Sequence, residues 1–247
     1  GERLAPVLVK GPGIPRGSLL TSDSTRRAGL VLNTDVSATV LGLFDLSGTG
    51  LEGQAAEGEL MPERMGYLFG ERDRIVNTYV QRPGVLYPYV SYQVIVLILS
   101  LILLFLRAKT FFPWMRPLLL GICIAPLALL VLPLFGASSL AETRLILVSL
   151  TVALALAFLS IRSDLLLMFV CLGGAVNLLL VGQLIINSWL LKHSFLSYDP
   201  IMGARFYGIG NEYMGVFVGT AILLAASAVQ RFPQQRRLLL YLGTGWF

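Results

Sequence analysis

The chain has 247 residues, a formal net charge of +5, 55% hydrophobic residues and only 13% charged ones, with a mean hydropathy of +0.75. Those values fall outside the range of soluble globular domains. The positive residues lie in short stretches beside apolar runs, and no basic patch is interleaved with aromatics, which argues against a nucleic-acid partner.

A seam near Tyr89 divides the sequence. Residues 1–89 hold 9 Lys/Arg and 10 Asp/Glu, whereas residues 90–247 hold 10 Lys/Arg and 4 Asp/Glu. The expected fold class is a predominantly α-helical polytopic membrane protein, with five spans plus a truncated sixth, preceded by a partial α/β soluble segment. The domain boundary is placed at residues 86/87. The chain begins without Met and stops inside an apolar run that starts at Leu238, so a piece of a longer protein is expected.

In chain order, Leu4–Lys10 reads as a strand ended by the turn Gly11-Pro12-Gly13, and Gly29–Leu32 as a second strand. Asn33 or Thr34 is placed to cap the following helix, with Asp35 in its first turn. Val36, Val40, Leu43 and Phe44 recur at helical spacing and predict a buried stripe. A Gly-rich loop is expected over Ser47–Gly58. An amphipathic helix over about Glu71–Gln81, with Ile75, Val76, Tyr79 and Val80 inward, leads to Arg82-Pro83 and the first span. Two strands in some eighty residues make a thin independent core.

The stretch from Ala5 to Phe44 resembles the C-terminal end of the alkaline phosphatase superfamily domain, the fold of phosphodiesterases, sulfatases and cofactor-independent phosphoglycerate mutase. The matching elements are the strand running into Gly11-Pro12-Gly13, the segment Thr21-Ser22-Asp23-Ser24-Thr25-Arg26-Arg27, and the strand-to-helix turn Asn33-Thr34-Asp35. The resemblance implies a two-metal phosphoester or sulfoester hydrolase or transferase with a Ser or Thr nucleophile and Asp/His ligands. Residues 1–89 contain no histidine. The two divalent metals (Zn or Mn type) are therefore expected only in an upstream part of the domain, and no catalytic or metal-ligating residue is assigned in this chain. Arg26, Arg27 and Asp35 read either as structural or as the edge of a substrate cleft.

Five apolar runs follow, at about 90–106, 117–135, 145–161, 165–191 and 214–229, with a sixth over 238–247. A helix needs about 20 apolar residues to cross the hydrocarbon core, and backbone groups in lipid must be satisfied internally, so helices are expected. The first, third and fifth connections carry 7 positive residues: Arg107, Lys109, Arg116, Arg162, Arg231, Arg236 and Arg237; the second and fourth carry 3: Arg144, Lys192 and Arg205. Positive-inside bias places the odd connections in the cytoplasm and the N-terminal segment outside, in a bacterial plasma membrane. Trp114 and Trp189, near span ends, suit an aromatic belt. Gly173-Gly174 and the prolines within the second run read as kinks or close-packing points, and Asn177, Gln183 and Asn187 as interhelical bridges or as the lining of a polar cavity. Cys123 and Cys171 lie in apolar runs and read as packed thiols.

The connection from Lys192 to Gly215 gathers the reactive groups of the membrane half: His193, the only histidine in the chain, with Asp199, Arg205, Asn211 and Glu212. Arg205, Asn211 and Glu212 are the candidate substrate-binding residues, Arg205 through its planar fork toward phosphate or carboxylate. The alternative is an interfacial cap in which Glu212 is a helix-start carboxylate. The expected function is a membrane-anchored extracytoplasmic phosphohydrolase or phosphotransferase of the bacterial cell envelope. The second reading is a transporter or lipid-linked-substrate transferase using loop 192–215. The partners in either case are the bilayer and an anionic or phosphorylated lipid-linked substrate.

Overall fold

The computed structural model describes residues 4–11, 14–44, 46, 52–160, 164–186, 188–197, 199–202 and 206–235. The chain divides into two compact units. One comprises Gly1–Val80 with Tyr198–Tyr207, the other Gln81–Ser197 with Gly208–Phe247.

In the N-terminal unit the sheet has two strands, β1 (Ser18–Thr21) and β2 (Glu57–Leu60), antiparallel with Ser18 opposite Leu60. Neither predicted strand forms. Leu4–Lys10 and Gly29–Leu32 carry no strand, because the ladder partner goes to Ser18–Thr21 instead. That partner, Glu57-Gly58-Glu59-Leu60, begins inside the stretch expected to be a loop; residues 47–51, like Pro12 and Gly13, lie outside the described residues.

Helix α1 (Asn33–Leu43) starts one or two residues earlier than a cap at Asn33 or Thr34 requires. Leu32 is the N-cap, and the Asp35 carboxylate reaches back to the Leu32 N–H at 2.9 Å. The predicted buried stripe is inverted. Asp35 and Thr39 are the buried residues of α1, while Val36, Val40, Leu43 and Phe44 are 37–71% exposed. Backbone donors explain the inversion: Gln54 N–H donates to Asp35 Oδ1 at 3.0 Å and Ala56 N–H to Thr39 Oγ1 at 2.8 Å. Segment 52–56 thus lies on the polar face. Gly53 comes so close that a Cβ there would collide with the Thr34 carbonyl. The apolar face instead lines an open cleft with Val7, Val9, Leu20, Val31 and Ala56.

Helix α2 (Arg64–Phe105) is continuous through Pro83 and Pro88, so the helix expected over about Glu71–Gln81 and the first span are one element. Ile75 is buried as predicted, but Val80 is 67% exposed. In the membrane unit α2 is followed by α3 (Phe112–Val131), which a 3-10 turn extends over Leu132–Phe135, and by α4 (Leu140–Leu159). Next come α5 (Leu165–Ile186), the short α6 (Trp189–His193) and α7 (Asn211–Arg231). Among the described residues five helices are long and apolar enough to cross a membrane. The predicted fourth span is shorter than expected, since α5 ends at Ile186 and Ser188 adopts a left-handed conformation before α6. The sixth run, over 238–247, lies outside the described residues.

The core of this unit centres on α3, whose Ile124, Leu127, Leu129 and Leu130 are buried with Leu172, Val176 and Leu180 of α5. Helices α5 and α7 make the most extensive pairing. Gly173 sets their approach: a Cβ there would stand 2.8 Å from the Thr220 carbonyl oxygen, whereas at Gly174 it would meet nothing. Cys123 and Cys171 form no disulfide.

The prolines are tolerated for a specific reason. A proline has no N–H, so the carbonyl four residues earlier loses its helical donor. Pro88 deprives the Gly84 carbonyl, which Arg144 of α4 fills with Nε–H at 3.0 Å and an Nη2–H at 2.8 Å. Pro126 deprives Ile122, whose carbonyl accepts the Tyr89 hydroxyl at 3.4 Å. Pro133 deprives Leu129, whose carbonyl accepts the Ser194 hydroxyl at 2.9 Å. A double-mutant cycle tests this reading. Arg144→Ala is expected to cost about 1 kcal/mol in the parent and less than half of that in a Pro88→Ala background, where the backbone regains the donor. Equal costs in thermal melts of the two backgrounds would remove the explanation.

Candidate functional site

The start of α7 is the polar focus of the membrane unit. Gly210 is the N-cap, no side chain caps it, and Asn211 and Glu212 occupy the first turn. An acidic residue there is favoured by the helix dipole. Glu212 Oε1 also lies 3.5 Å from Arg82 Nη2 of α2, with the Arg82 side chain 22% and the Glu212 side chain 49% exposed. Gly210 lies close to the preceding segment: a Cβ there would stand 3.3 Å from the Leu196 carbonyl oxygen and 3.4 Å from Glu212 Oε2. Ser197, whose Cα would be 3.7 Å from that Cβ, is buried, and its hydroxyl has no hydrogen-bond partner among the described residues. One residue deeper, Tyr213 is fully buried. Its hydroxyl shares a 2.6 Å hydrogen bond with the Ser194 hydroxyl, and each also reaches a backbone carbonyl of α3, Ser194 that of Leu129 at 2.9 Å and Tyr213 that of Pro126 at 3.4 Å.

The middle of the same connection belongs to the N-terminal unit. Arg27, buried, donates from Nε to the Phe206 carbonyl at 3.3 Å and lies 3.6 Å from Glu71 Oε1. Burial pulls the Arg27 guanidinium below its ordinary value, opposed by the charges of Glu71, Tyr67 and Asp199; arginine nevertheless stays protonated. Arg26 stacks its guanidinium 4.4 Å from the Tyr207 ring. Asp199 accepts the Ile201 N–H at 2.9 Å, closing a turn at Asp199-Pro200.

A second buried cluster lies on Asp35. Its carboxylate accepts the Ser22 and Ser24 hydroxyls, both at 2.6 Å, besides the Leu32 and Gln54 N–H groups. Burial raises the proton affinity of this carboxyl, and the two hydroxyls with the two N–H groups outweigh it, leaving the group below the usual range. Both oxygens are thereby occupied, which fits a structural anchor rather than an acid or base.

The intramembrane amides act as bridges. Asn177 Nδ2 donates to the Gly173 carbonyl at 2.8 Å and to Thr220 Oγ1 of α7 at 2.9 Å. Gln183 Oε1 accepts the Leu190 N–H at 2.9 Å, bracing the α5–α6 turn; Asn187 lies outside the described residues. His193 is buried with Nδ1 at 2.8 Å from the Trp189 carbonyl, so that nitrogen carries the proton. Among the described residues no three of His, Cys, Asp and Glu come together.

Of the three predicted site residues, Asn211 and Glu212 fall side by side at the α7 start, and Arg205 lies outside the described residues. The cation placed beside Glu212 is Arg82, which sequence reasoning read only as the approach to the first span. A signal was present: Arg82 and Glu212 each flank an apolar run at ends that alternate crossing places on the same side. Neither a family model, nor a curated protein, nor a solved structure matches this chain.

Proposed function

We propose that this chain forms the membrane-embedded and membrane-proximal part of a bacterial cell-envelope phosphohydrolase or phosphotransferase. Its N-terminal unit would face outward, and its substrate would be an anionic or phosphorylated lipid. The observation that carries the reading is the Asp35 cluster. It ties segment 21–27 to turn 33–35 through Ser22 and Ser24, two of the three stretches on which the resemblance to the alkaline phosphatase superfamily rests; the third, Leu4–Lys10, carries no strand. Arg27, from the same segment, holds the Phe206 carbonyl of the 192–215 connection, inside the N-terminal unit. A passive anchor needs neither that connection nor five helices.

The described residues do not fit a two-metal centre. No three potential ligands gather, and Asp35 already accepts four hydrogen bonds. No catalytic step is therefore assigned to this chain. Its residues hold and orient.

A second reading, a lipid-linked-substrate transferase or transporter working through the 192–215 connection, is favoured by the partly exposed Arg82–Glu212 pair and by the buried Ser197 hydroxyl, which has no partner among the described residues. One experiment addresses both. The full protein in lipid nanodiscs is expected to release phosphate from a soluble aryl phosphate and from a phosphorylated lipid when Mn or Zn is supplied, and to stop on chelation. Absence of metal-dependent turnover sinks the first reading. Arg82→Gln and Glu212→Gln are expected to leave the soluble substrate unaffected. Selective loss of the lipid substrate would shift the assignment to the second reading.

A further inference from the structure

The connection between α2 and α3 presents an exposed cationic and aromatic corner unrelated to the α7 start. Helix α2 ends in a paired turn in which the Arg107 N–H bonds the Leu104 carbonyl at 3.1 Å and the Ala108 N–H the Leu103 carbonyl at 3.0 Å. Such an ending places its closing residue in the left-handed region, where glycine is the usual occupant. Here that residue is Arg107, with φ +52°. A β-carbon in that region costs about 1–2 kcal/mol, so a large cation is held where the backbone favours no side chain.

Lys109 and Arg116 follow within ten residues, and all three cations are exposed. Among the described residues none of the three forms an ion pair. By contrast, Arg231, at the end of α7, is paired with Asp164. Phe111 is 55% and Trp114 73% exposed beside the cations, and the apolar window of α2 that leads to them is only 6% buried. Unpaired exposed cations at the end of a long apolar helix, with exposed aromatic rings in the same ten-residue stretch, match the chemistry of a phospholipid surface rather than of a free ion.

We infer that Arg107, Lys109 and Arg116, with Trp114 and Phe111, form a binding surface for the phosphodiester headgroup of an anionic phospholipid. The cations meet the headgroup charge and the rings sit at the acyl boundary. The surface is independent of the proposed phosphatase reading and stands or falls separately.

The test uses the full chain, solubilised in mild detergent with equal parts phosphatidylglycerol and phosphatidylcholine, and reads retained lipid by native mass spectrometry. Each cation near the headgroups is worth about fivefold in binding. The parent is therefore expected to retain phosphatidylglycerol at least tenfold over phosphatidylcholine, as an order-of-magnitude figure. The triple variant Arg107→Gln, Lys109→Gln, Arg116→Gln should retain the two equally. The single variants Lys109→Gln and Arg116→Gln should each lose roughly fivefold, which keeps the test valid if the triple variant does not fold. Lys10→Gln, Arg16→Gln, Arg64→Gln removes the same charge from the N-terminal unit and should change nothing. Equal retention in parent and triple variant, equal loss in the control triple, or displacement of the lipid by millimolar inorganic phosphate would each overturn the inference.

Discussion

Gly173→Ala is expected to lower the melting point of the detergent-solubilised protein clearly, while Gly174→Ala leaves it unchanged or raises it. The two glycines are adjacent in sequence, yet they face different surroundings. At Gly173 the new methyl group would stand 2.8 Å from the Thr220 carbonyl oxygen and 2.9 Å from Leu224 Cβ; at Gly174 it would meet nothing within 4 Å. Backbone cannot rotate aside as a side chain can, so α5 and α7 must separate, at a cost of about 1–3 kcal/mol. The Asn177–Thr220 hydrogen bond one turn along is formed across the same approach and would lengthen with it. At Gly174, by contrast, alanine gains up to about 1 kcal/mol of helix propensity. If both variants melt alike, the close approach at Gly173 is not what holds these helices.

Asp35→Ala is expected to release the N-terminal unit, at about 2–4 kcal/mol. The Ser22 and Ser24 hydroxyls can turn elsewhere. The Leu32 and Gln54 N–H groups are fixed by the backbone and lose their acceptor outright. The carboxyl is held below its ordinary value in the folded chain, which fixes the sign of a pH effect. Its contribution is complete above the unfolded value of about 3.9 and disappears as pH falls through the folded value. Hydrogen exchange of segments 18–44 and 52–60, corrected for intrinsic rates, should show protection falling with acidification in the parent. The Asp35→Ala variant should show weak protection throughout and little of that pH dependence. An Asp35→Ala variant with parental protection would contradict the anchor role.

What could be read in advance follows from physical range. The five apolar runs were legible because length and hydropathy are local properties; four appear as helices with ends displaced by a few residues, while the first is the last part of the much longer α2. The continuity of α2 through Pro83 and Pro88 was not legible. At Pro88 the carbonyl left without a donor is met by Arg144, some sixty residues away. Helix α1 reversed its expected face because backbone donors at Gln54 and Ala56, which no side-chain pattern reveals, hold Asp35 and Thr39 inward. Strand β2 carries two glutamates and a glycine in four residues, and only its pairing with Ser18–Thr21 makes it a strand. At the candidate site, Glu212 announced itself as a helix-start carboxylate. Arg82, its partner across 130 positions of sequence, did not.

The proline-deprived carbonyls also bear on how the chain is made. The Leu129 carbonyl in the second span finds its donor in Ser194, 65 residues downstream. At ribosomal speeds of about 5–20 residues per second that separation corresponds to roughly 3–13 seconds of synthesis. Until then the end of α3 holds a bare oxygen that lipid cannot solvate. The second span therefore emerges from the ribosome incomplete as a lipid-facing helix. Its far end has reason to stay near water, or in the insertion machinery, until the segment after α6 arrives to close it.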